Sequence, residues 1–552
     1  MNITSGGSIF LSLLKDEGVS HLFGNPGTTE LPIMHAMREH QDLSYVLGLQ
    51  ESLVVAMADG FSRASGKLTA CNVHVAPGLG NAIGSIYNAG FTGTPMIITA
   101  GQQEQGHGLT EPLLYDPLVP IAQPVVKWAT EVTRIEDLPR IIRRAAKIAT
   151  TPPTGPVFLS LPGDVLNATA GMNLGASTRV NTRMRPADDV LGHLADRILE
   201  AKKPVIICGD ELVKSDALAE VSQVAETLGA DVFQQTVPHG SHYPSSHVCF
   251  MGTLSRSQKK VREVLSQYDL MVVLGSDALR MSVSSEIEPL PEGMPIVHIG
   301  LVDWEMGKNF PVEQAIYGDL RETLKALLPA LREKGGGALA EHAKLAISNM
   351  ADRNWTADRA RLVETIESAD AMSPMSADMF CLRFVDGLSN DAVVVQEGIT
   401  STLLLPRLLN YKDRYSYHGS ASGGIGWALP AAVGVSLEQP DRPICVAVGD
   451  GSSMYSIQAL WTAAKMKLPM TYVIANNGSY RIIKQRLKSF HGNDHFLGMD
   501  FSEPAIDFVN LAKSMGMSAQ RVTRPDDLKT AIAEGMASGR SNLIDAIVDG
   551  TV

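Results

Sequence analysis

Residues 444–480 read ICVAVGDGSSMYSIQALWTAAKMKLPMTYVIANNGSY, and this stretch decides the fold. The apolar, β-rich run Ile444 to Val448 predicts a buried strand, and Ser456 to Met466 has helical spacing. Pro469 ends that helix, and Thr471 to Ala475 predicts a second buried strand. Because a helical crossover makes the strands that it joins parallel, the stretch predicts a βαβ unit within a parallel sheet.

Polar residues follow both strands of this unit. Asp450 stands between Gly449 and Gly451 after the first strand, and Asn477 follows the second strand. Open α/β sheets bind ligands at the carboxyl ends of neighbouring strands, so we expect the two side chains to lie close together. One carboxylate and one amide oxygen suit a small hard cation such as Mg²⁺, which keeps phosphate and water oxygens in its other positions. The stretch therefore predicts a site that binds a diphosphate through a metal.

This block resembles the diphosphate-binding motif of thiamin-diphosphate enzymes. In that motif an aspartate, an asparagine and a backbone carbonyl two residues later hold the metal, and the first two are 27 residues apart, as they are here. The resemblance implies thiamin diphosphate and Mg²⁺, with Ca²⁺ or Mn²⁺ as alternatives, the metal being bound by Asp450, Asn477 and Ser479. The other cofactor-binding positions that the motif implies are Gly449, Gly451, Ser452 and Tyr480.

Composition sets the class of protein and excludes several functions. With 552 residues the chain exceeds one hydrophobic core, and its length suggests about three to four domains. Its 45% hydrophobic and 19% charged residues are typical of a soluble globular protein. A net charge of −12 without a basic stripe argues against a nucleic-acid partner. Since neither a membrane-length apolar run nor a signal-peptide pattern is found, we expect no membrane partner and a cytoplasmic location.

The five cysteines are an odd number, and they are scattered over apolar stretches. This pattern predicts reduced core thiols rather than disulfides or a zinc site.

Strand and helix patterns alternate along the chain. Residues 1–170 predict a doubly wound sheet. A polar linker from about Asn167 to Pro186 leads to a second α/β unit at 187–330, and the stretch Arg332 to Gly337 predicts a flexible connection. A third α/β unit occupies 370–552.

Three α/β units in this order resemble the pyrimidine-binding, central and diphosphate-binding domains of the decarboxylase and acetolactate-synthase superfamily of thiamin-diphosphate enzymes. The resemblance spans essentially the whole chain and implies an α/β fold of three doubly wound parallel-sheet domains. In that superfamily the pyrimidine domain of one subunit faces the diphosphate domain of another. We therefore expect a homodimer or homotetramer with active sites at subunit interfaces.

Thiamin chemistry needs a carboxylate that holds the aminopyrimidine of the cofactor and relays a proton. Glu51 follows a predicted strand and opens the helix Glu51 to Arg63, at the position of the family's glutamate. The alternative is a helix N-terminal glutamate that the macrodipole stabilises. In the context of the metal block, the resemblance makes Glu51 the predicted catalytic and cofactor-binding acid.

The segment Gly423-Gly424-Ile425-Gly426 precedes the metal block. By the same resemblance, Ile425 is the bulky apolar residue that bends the cofactor, and the carbonyl of Gly423 accepts a hydrogen bond from the aminopyrimidine. Glu397, at the end of a predicted strand, stands where the family contacts the cofactor, although a loop carboxylate is a close alternative.

Four segments resemble benzoylformate decarboxylases: Asn25 to Pro32, Asn72 to His74, Thr99 to Gln103 and Tyr472 to Tyr480. That family splits an aromatic 2-oxo acid into carbon dioxide and an aldehyde. His74 matches a family histidine that moves protons, and Thr28 stands where the family has a serine that binds the substrate carboxylate. The resemblance implies thiamin-diphosphate-dependent, non-oxidative decarboxylation of a benzoylformate-like 2-oxo acid to an aldehyde and carbon dioxide, with carboligation of aldehydes as a side activity.

The predicted substrate pocket departs from that family at three places. The family's second histidine falls on Ser282, an aromatic wall residue falls on Gly419, and an apolar stretch is replaced by Arg481 to Arg486. These changes predict a larger or more polar pocket. His418, beside Gly419, is a candidate for the missing imidazole, and His107 is another. The pocket candidates are Thr28, His74, Leu114, Ser282, His418, Gly419 and Ile482.

Two other functions stay open. The first is a dedicated carboligase or carbon–carbon lyase resembling acetolactate synthase or 2-hydroxyacyl-CoA lyase. Such relatives often bind FAD in the central domain, where Asp303 follows a strand, although an aspartate there is usually a turn residue. We do not expect FAD in this chain. The second is a cofactor-binding protein without catalysis, which the joint presence of Glu51, Ile425, Asp450 and Asn477 disfavours.

Overall fold

A computed structural model describes residues 3–369 and 374–552, and in it the chain forms two compact units. Of the described residues, the first unit contains 3–180, 374–403 and 420–552, and the second contains 181–369 and 404–419. The predicted start of the third domain, at residue 370, lies outside the described residues.

The N-terminal part of the first unit is built on parallel strands. Its strands are β1 (Thr4–Ser5), β2 (His21–Gly24), β3 (Ser44–Leu47), β4 (Thr69–Val73), β5 (Met96–Gln102), β6 (Trp128–Glu131), β7 (Pro156–Pro162) and β8 (Thr169–Ala170). Its helices are α1 (Gly6–Asp16), α2 (Leu31–Ala36), α3 (Glu51–Ser65), α4 (Val75–Thr92), α5 (Leu118–Ala122), α6 (Leu138–Thr150) and α7 (Gly163–Asn167).

Six of these strands form a parallel sheet in the order β3-β2-β4-β5-β7-β6, while β1 and β8 form a separate antiparallel pair. The order reverses between β2 and β4, which is the switch point where open α/β sheets bind ligands. Both faces of the sheet are covered, since the neighbouring residues Ile97 and Ile98 of β5 pack into different hydrophobic clusters. This part of the chain is therefore doubly wound, as predicted.

The second unit repeats this architecture. Its strands are β9 (Pro204–Cys208), β10 (Asp231–Gln234), β11 (Phe250–Thr253), β12 (Leu270–Leu274), β13 (Ile296–Gly300) and β14 (Gln314–Tyr317). Its helices are α8 (Asp188–Glu200), α9 (Glu211–Lys214), α10 (Leu218–Leu228), α11 (Gln258–Leu265), α12 (Leu320–Ser348) and α13 (Trp355–Ser368). The parallel sheet has the order β11-β10-β9-β12-β13-β14, so its switch point lies between β9 and β12.

The glycine-rich stretch from Arg332 to Gly337 lies inside helix α12, so the prediction of a flexible connection is wrong. The helix has one non-helical residue there, Gly336, with φ of 51°, which marks a kink. The flanking sequence is rich in alanine, leucine, lysine and glutamate, and these strong helix formers extend the helix on both sides of the kink.

The C-terminal part of the first unit contains the stretch from which the fold was predicted. Its helices are α14 (Ala377–Asp386), α16 (Ala428–Glu438), α17 (Asp450–Ser453), α18 (Ala459–Lys465), α19 (Arg481–His491), α20 (Phe508–Ser514) and α21 (Pro525–Ala537), while α15 (Leu405–Leu408) and the strand β16 (Tyr417–Gly419) belong to the second unit. Its strands are β15 (Val393–Glu397), β17 (Ile444–Gly449), β18 (Met470–Asn476), β19 (Ser518–Val522) and β20 (Asn542–Ile547).

These strands are parallel and pair in the order β15-β17-β18-β20-β19. The predicted βαβ unit is confirmed, but its helix is divided. A short helix, α17, begins at Asp450 itself, and α18 begins only at Ala459, three residues later than the helix predicted from Ser456.

All five cysteines are buried, and no two of them form a disulfide in the described part of the chain, in agreement with the prediction of reduced core thiols: Cys71, Cys208, Cys249, Cys381 and Cys445. Among the described residues, no helix combines the length and the apolar character that a membrane span requires.

Helices α3 and α16 join the two sheets of the first unit by direct backbone contact. A Cβ on Gly60 would lie 2.1 Å from the carbonyl oxygen of Ala431, and a Cβ on Gly434 would lie 1.9 Å from that of Met57. Beside this contact, the buried Asp59 accepts hydrogen bonds from the Trp427 indole (2.6 Å) and the Thr94 hydroxyl (2.5 Å). Only glycine allows the two helices to approach this closely.

Gly434→Ala should destabilise the first unit, because the new methyl group overlaps the backbone of α3. Overpacking of this kind typically costs about 3 kcal/mol, so the midpoint of thermal unfolding should fall by several degrees. Gly337→Ala is the matched control, since that exposed glycine of α12 has open space where a Cβ would lie. Equal unfolding midpoints for the two variants would contradict the interlocked contact.

Candidate active site

The turn after β17 brings Asp450 against the end of β18. The Asp450 carboxylate accepts hydrogen bonds from the backbone amides of Gly451 (2.8 Å), Asn477 (2.8 Å) and Gly478 (2.7 Å). These contacts follow from the parallel pairing of β17 and β18, which delivers both loops to one edge of the sheet. The structure thus brings together the two residues that the sequence predicts to meet.

The donors at this edge suit a hard divalent cation. Asp450 is buried, and the loss of hydration raises the pKa of its carboxyl to about 6, although the backbone amides favour the ionised form. The side-chain oxygen of Asn477 lies in the same turn, 3.1 Å from the amide nitrogen of Ser479. A divalent cation would supply positive charge to a carboxylate whose described hydrogen bonds come from neutral amides. Asp450, Asn477 and the backbone of Ser479 therefore fit the predicted metal.

Close packing explains one of the two glycines that flank Asp450. A Cβ on Gly451 would lie 2.8 Å from the ring of Tyr480, which itself packs edge-on against Phe501 with centroids 5.1 Å apart. Gly449 is less crowded, since a Cβ there would lie 4.0 Å from the hydroxyl oxygen of Ser452. The turn therefore leaves its backbone accessible beside Gly449, where a diphosphate contact is predicted.

Ile425 lies on a loop that is fixed by the N-terminal part of the unit. The carbonyl of Gly424 accepts a hydrogen bond from the Asn88 side chain (2.7 Å), and a Cβ on Gly424 would lie 2.6 Å from that side chain. Gly423 faces open space, and the Ile425 side chain is 48% exposed. A large apolar side chain held in an exposed position is what a flat cofactor ring would cover, so this loop fits the predicted role.

Glu397, at the end of β15, anchors the other side of the same loop. Its carboxylate accepts hydrogen bonds from the amides of Gly426 (2.7 Å) and Ala428 (2.8 Å). Burial raises the pKa of the Glu397 carboxyl to about 7, although these amides lower it. The predicted cofactor contact stays a prediction, and the structure adds that Glu397 positions the loop that carries Ile425.

Glu51 begins helix α3 and is held by two neutral amides. It is 8% exposed, and its carboxylate accepts hydrogen bonds from Asn25 Nδ2 (3.1 Å) and Asn81 Nδ2 (3.0 Å). A Cβ on Gly78 would lie 3.1 Å from Glu51 Oε1, so the glycine leaves room for the carboxylate. These contacts fix the orientation of the carboxylate. Because both donors are neutral amides, they do not neutralise its charge.

His74 is paired with a buried acid that the sequence reasoning missed. His74 Nδ1 lies 2.8 Å from Glu30 Oε2 and 3.1 Å from the Thr29 hydroxyl oxygen. Glu30 is fully buried and also accepts hydrogen bonds from the amides of Gly27 (2.8 Å) and Gly101 (2.9 Å). Because Nδ1 faces the carboxylate, the pair fixes the orientation of the ring and leaves Nε2 as the ring nitrogen that does not face Glu30.

The signal for Glu30 lay in the segment Asn25 to Pro32, which follows β2, whereas His74 follows β4. These two strands flank the switch point of the N-terminal sheet, so the residues that follow them meet there. Sequence reasoning did not fix which strands are neighbours, and for that reason it did not pair the acid with the histidine.

Thr28 lines a cleft of about 660 Å³ at this edge of the sheet, and Thr29, His35 and Gln103 also line it. The Thr29 hydroxyl donates to Glu30 (2.8 Å), which leaves Thr28 as the threonine predicted to bind substrate. Two further candidates are exposed: Leu114, which has φ of 70°, and His107, whose ring nitrogen lies 3.2 Å from the Thr110 hydroxyl oxygen.

Three predicted pocket residues belong to the second unit. Ser282 is exposed, while His418 and Gly419 lie buried on β16. A Cβ on Gly419 would lie 2.7 Å from the Tyr417 hydroxyl oxygen. The space beside Gly419 is thus occupied by an aromatic side chain, that of Tyr417, from two residues earlier.

The cationic stretch from Arg481 to Arg486 forms the start of α19, and Ile482 is half-buried there. Lys484 forms an ion pair with Asp500, and Arg481 donates a hydrogen bond to the carbonyl of Thr551 (2.9 Å). These two cations therefore stabilise contacts of α19 with neighbouring segments, and the expected polarity of the pocket stays a prediction.

Asp303 lies in a single helical turn, Asp303–Glu305, after β13. Its side chain accepts a hydrogen bond from the Trp304 amide (3.0 Å), as an ordinary turn aspartate does.

Comparison with known protein families matches part of each of the three sheets. Residues 4–113 match the N-terminal TPP binding domain of thiamine pyrophosphate enzymes, 191–327 match the central domain, and 400–546 match the C-terminal TPP binding domain. A benzoylformate decarboxylase of Pseudomonas aeruginosa is 31% identical over 97% of this chain and 97% of its own length. The chain belongs to the thiamine pyrophosphate enzyme family.

Other thiamine pyrophosphate enzymes extend the comparison. The crystal structure of benzoylformate decarboxylase from Polynucleobacter necessarius is 30% identical with a TM-score of 0.88, and a 4-hydroxybenzoylformate decarboxylase from Rhodococcus jostii is 29% identical with a TM-score of 0.85. Each pair covers 99% of both chains. An acetolactate synthase large subunit of Haemophilus influenzae is 26% identical over 97% of this chain and 93% of its own length. The predicted resemblance to the family, and to benzoylformate decarboxylases within it, is confirmed.

Glu397→Gln should change how stability depends on pH. Since the folded-state pKa of about 7 lies above the ordinary value of 4.5, the folded protein retains a proton that the unfolded chain has lost, and stability decreases as pH rises between these values. The neutral glutamine removes this dependence. As the pH is raised from 5 to 8, the thermal unfolding midpoint of the wild type should therefore fall by several degrees relative to that of the variant. Scanning calorimetry measures this difference. A pH-independent difference between the two proteins would contradict the assignment.

Proposed function

We propose that this chain is a thiamin-diphosphate-dependent decarboxylase that converts a benzoylformate-like 2-oxo acid to an aldehyde and carbon dioxide. The observation that carries the proposal is the His74–Glu30 pair, which also contacts Thr29, the residue after Thr28. It places an oriented imidazole beside the Thr28–Thr29 segment, in the domain that also carries Glu51. The benzoylformate decarboxylases that cover the whole chain support the same substrate class.

The cofactor would be held by the residues whose geometry fits it. Asp450, Asn477 and the backbone carbonyl of Ser479 would bind Mg²⁺, or Ca²⁺ or Mn²⁺ in its place. The turn formed by Gly449, Gly451 and Ser452, with Tyr480, would contact the diphosphate. When bound, thiamin diphosphate supplies a nucleophilic carbon and a cationic ring that accepts the electrons left by carbon dioxide.

The chain's own residues would orient the reactants and move protons. The Glu51 carboxylate would accept a hydrogen bond from the aminopyrimidine and relay its proton, and the Asn25 and Asn81 amides fix that carboxylate in place. The Thr28 hydroxyl would donate a hydrogen bond to the substrate carboxylate. His74 Nε2 would exchange the proton that the aldehyde product requires, while Glu30 would hold the orientation of the ring through Nδ1.

The first test measures carbon dioxide and benzaldehyde release from benzoylformate by the full-length protein with thiamin diphosphate and Mg²⁺. We expect turnover, and Glu51→Gln should lower kcat by about 10²–10⁴-fold while cofactor affinity stays within a few-fold of wild type. Glu534→Gln, which changes an exposed acid of α21, is the control and should be fully active. An active Glu51→Gln variant would refute the proton relay, and a wild-type protein that binds cofactor without turnover would refute the decarboxylase.

Carboligation is proposed as a side activity on aldehydes. A dedicated carboligase or lyase is the second candidate, and the acetolactate synthase relatives, at 26% identity for that of Haemophilus influenzae, are the observation in its favour. Acetolactate formation from pyruvate at a higher kcat/KM than benzoylformate decarboxylation, together with a flavin spectrum of the purified protein, would favour this second function.

We further propose that active sites form between subunits of a homodimer or homotetramer. Tyr455, which lies beside Gly426 of the cofactor loop, supports this arrangement, since its large side chain is 56% exposed and such surfaces are often covered at interfaces. Glu51 of one subunit would then act with Asp450 of another.

Mixing two inactive variants tests this arrangement. If Glu51→Gln and Asp450→Asn subunits are unfolded and refolded together, each mixed dimer contains one site with both mutations and one site with neither. Turnover should therefore return to roughly a quarter of the wild-type value in an equal mixture, because half of the dimers are mixed and each has one intact site. Each variant refolded alone is the control. Loss of activity in the mixture, with mixed dimers demonstrated by mass, would contradict shared sites.

A further inference from the structure

Three side chains of the kinds that bind metal ions converge in the second unit, and none of them is among the residues assigned to cofactor and metal above. Asp210 Oδ1 lies 3.2 Å from His239 Nε2 and 3.9 Å from His242 Nε2, and all three ligand atoms lie within 4.8 Å of one another. Ligands that share one zinc ion at about 2.0–2.1 Å are roughly 3.3 Å apart. The cluster therefore comes close to the spacing of a common ion.

The rings of His239 and His242 are both buried, at 6% and 0% exposure. Their centroids are 5.5 Å apart, with an angle of 83° between the planes. One oxygen of the Asp210 carboxylate faces the Nε2 atoms of both buried imidazoles, at 3.2 Å from His239 and 3.9 Å from His242. Two imidazoles and one carboxylate around one point form a donor set that favours Zn²⁺ and similar transition metals.

The cluster lies where the topology of the sheet favours a ligand. Asp210 follows β9, and the strand order reverses between β9 and β12, so the residue stands at the carboxyl-end crevice of the switch point. The histidines lie on the connection between β10 and β11, residues 235–249, a length that is uncommon for a loop without helix or strand. The backbone amide of His242 is fixed by a hydrogen bond to the buried Gln234 side chain (3.0 Å).

We propose that Asp210, His239 and His242 bind one Zn²⁺-class divalent metal ion, which fastens the loop at 235–249 to the carboxyl end of β9. Asp210 would bind through Oδ1, since Oδ2 is engaged by Lys214 (2.9 Å) on the next turn. The ammonium of Lys214 thus orients the carboxylate from outside the donor set, as outer partners of metal ligands commonly do. The remaining coordination positions are available to water or to a small ligand.

Gly240 lies against the proposed metal site. A Cβ at this residue would lie 3.2 Å from His242 Nε2 and 3.6 Å from Asp210 Oδ1, the two atoms that would face the ion. The Gly240→Ala substitution would therefore place a methyl group against the site while leaving every proposed ligand in the chain.

The site differs in chemistry from the one at Asp450, where the donors are oxygens and the expected ion is Mg²⁺. Zn²⁺ binding is therefore measured by titration calorimetry on the full-length protein kept in excess thiamin diphosphate and Mg²⁺. Co²⁺ is used in parallel, because its visible absorption reports nitrogen ligation. We expect one Zn²⁺ per chain that the excess Mg²⁺ does not displace, and a Zn²⁺-dependent rise in the unfolding temperature.

Three variants distinguish Zn²⁺ binding at the proposed site from Zn²⁺ binding elsewhere on the protein. His242→Gln and His239→Gln should each weaken Zn²⁺ affinity by roughly 10–100-fold, and Gly240→Ala should weaken it by about tenfold. His247→Gln is the matched control, because His247 belongs to the same loop and faces a carboxylate, Glu226 (3.1 Å), but lies outside the cluster. This control should bind Zn²⁺ as wild type does.

Absence of a stoichiometric Zn²⁺ site in the wild type, or unchanged affinity in both His239→Gln and Gly240→Ala, would overturn the proposal. Equal losses in the His247→Gln control would also overturn it, since the effect would then be a general change in the loop. If His242→Gln does not fold, as circular dichroism would show, the other two variants still decide the outcome. None of these readouts depends on turnover, so failure of the proposed decarboxylase leaves this test intact.

Discussion

The close contact between helices α3 and α16 is the constraint on which the first unit depends. Gly60 faces the backbone of Ala431, and Gly434 faces the backbone of Met57, so each helix lies against the main chain of the other. Glu51 opens α3, and the loop that carries Ile425 runs directly into α16. The separation of the two helices therefore sets the relative positions of a predicted catalytic acid and a predicted cofactor platform within one chain. The buried hydrogen bond from the Trp427 indole to the Asp59 carboxylate (2.6 Å) holds the same two helices together beside the glycine contacts.

Backbone amides control the acidic groups of the candidate site. Glu30, Glu397 and Asp450 are all buried, and each accepts at least two hydrogen bonds from main-chain nitrogen atoms. Such donors satisfy a carboxylate without neutralising its charge, so the charge remains available to an imidazole or a metal ion. The three acids nevertheless serve different purposes: one orients His74, one holds a loop, and one is suited to a cation.

The parts of the site that were predictable are those encoded by local order. Asp450 and Asn477 follow consecutive strands of one βαβ unit, whose parallel pairing is obligatory, so their meeting could be inferred from spacing alone. The Glu30–His74 pair joins loops whose strands are neighbours only because the sheet order reverses between them, and no local pattern contains that information. Asp210 and the two histidines of the β10–β11 loop, by contrast, follow consecutive strands, β9 and β10, that are neighbours in the sheet, so their closeness was open to the same inference as that of Asp450 and Asn477. Local composition also gave a wrong prediction at the glycines before Leu339. They suggested a flexible connection, but helical sequence lies on both sides of them, and they form a kink within helix α12.

The distribution of the five buried thiols has a practical consequence for chemical labelling. Cys71 lies in β4, Cys208 in β9 and Cys445 in β17, so each of the three sheets carries a cysteine in a central strand. Burial raises the pKa of all three thiols far above neutrality, and a protonated, enclosed sulfur does not react with alkylating reagents. Alkylation of each cysteine therefore requires its own sheet to open. Mass spectrometry of the alkylated peptides would therefore report the opening of each of the three sheets separately. The native cysteines are the probes, so no engineered cysteine is needed.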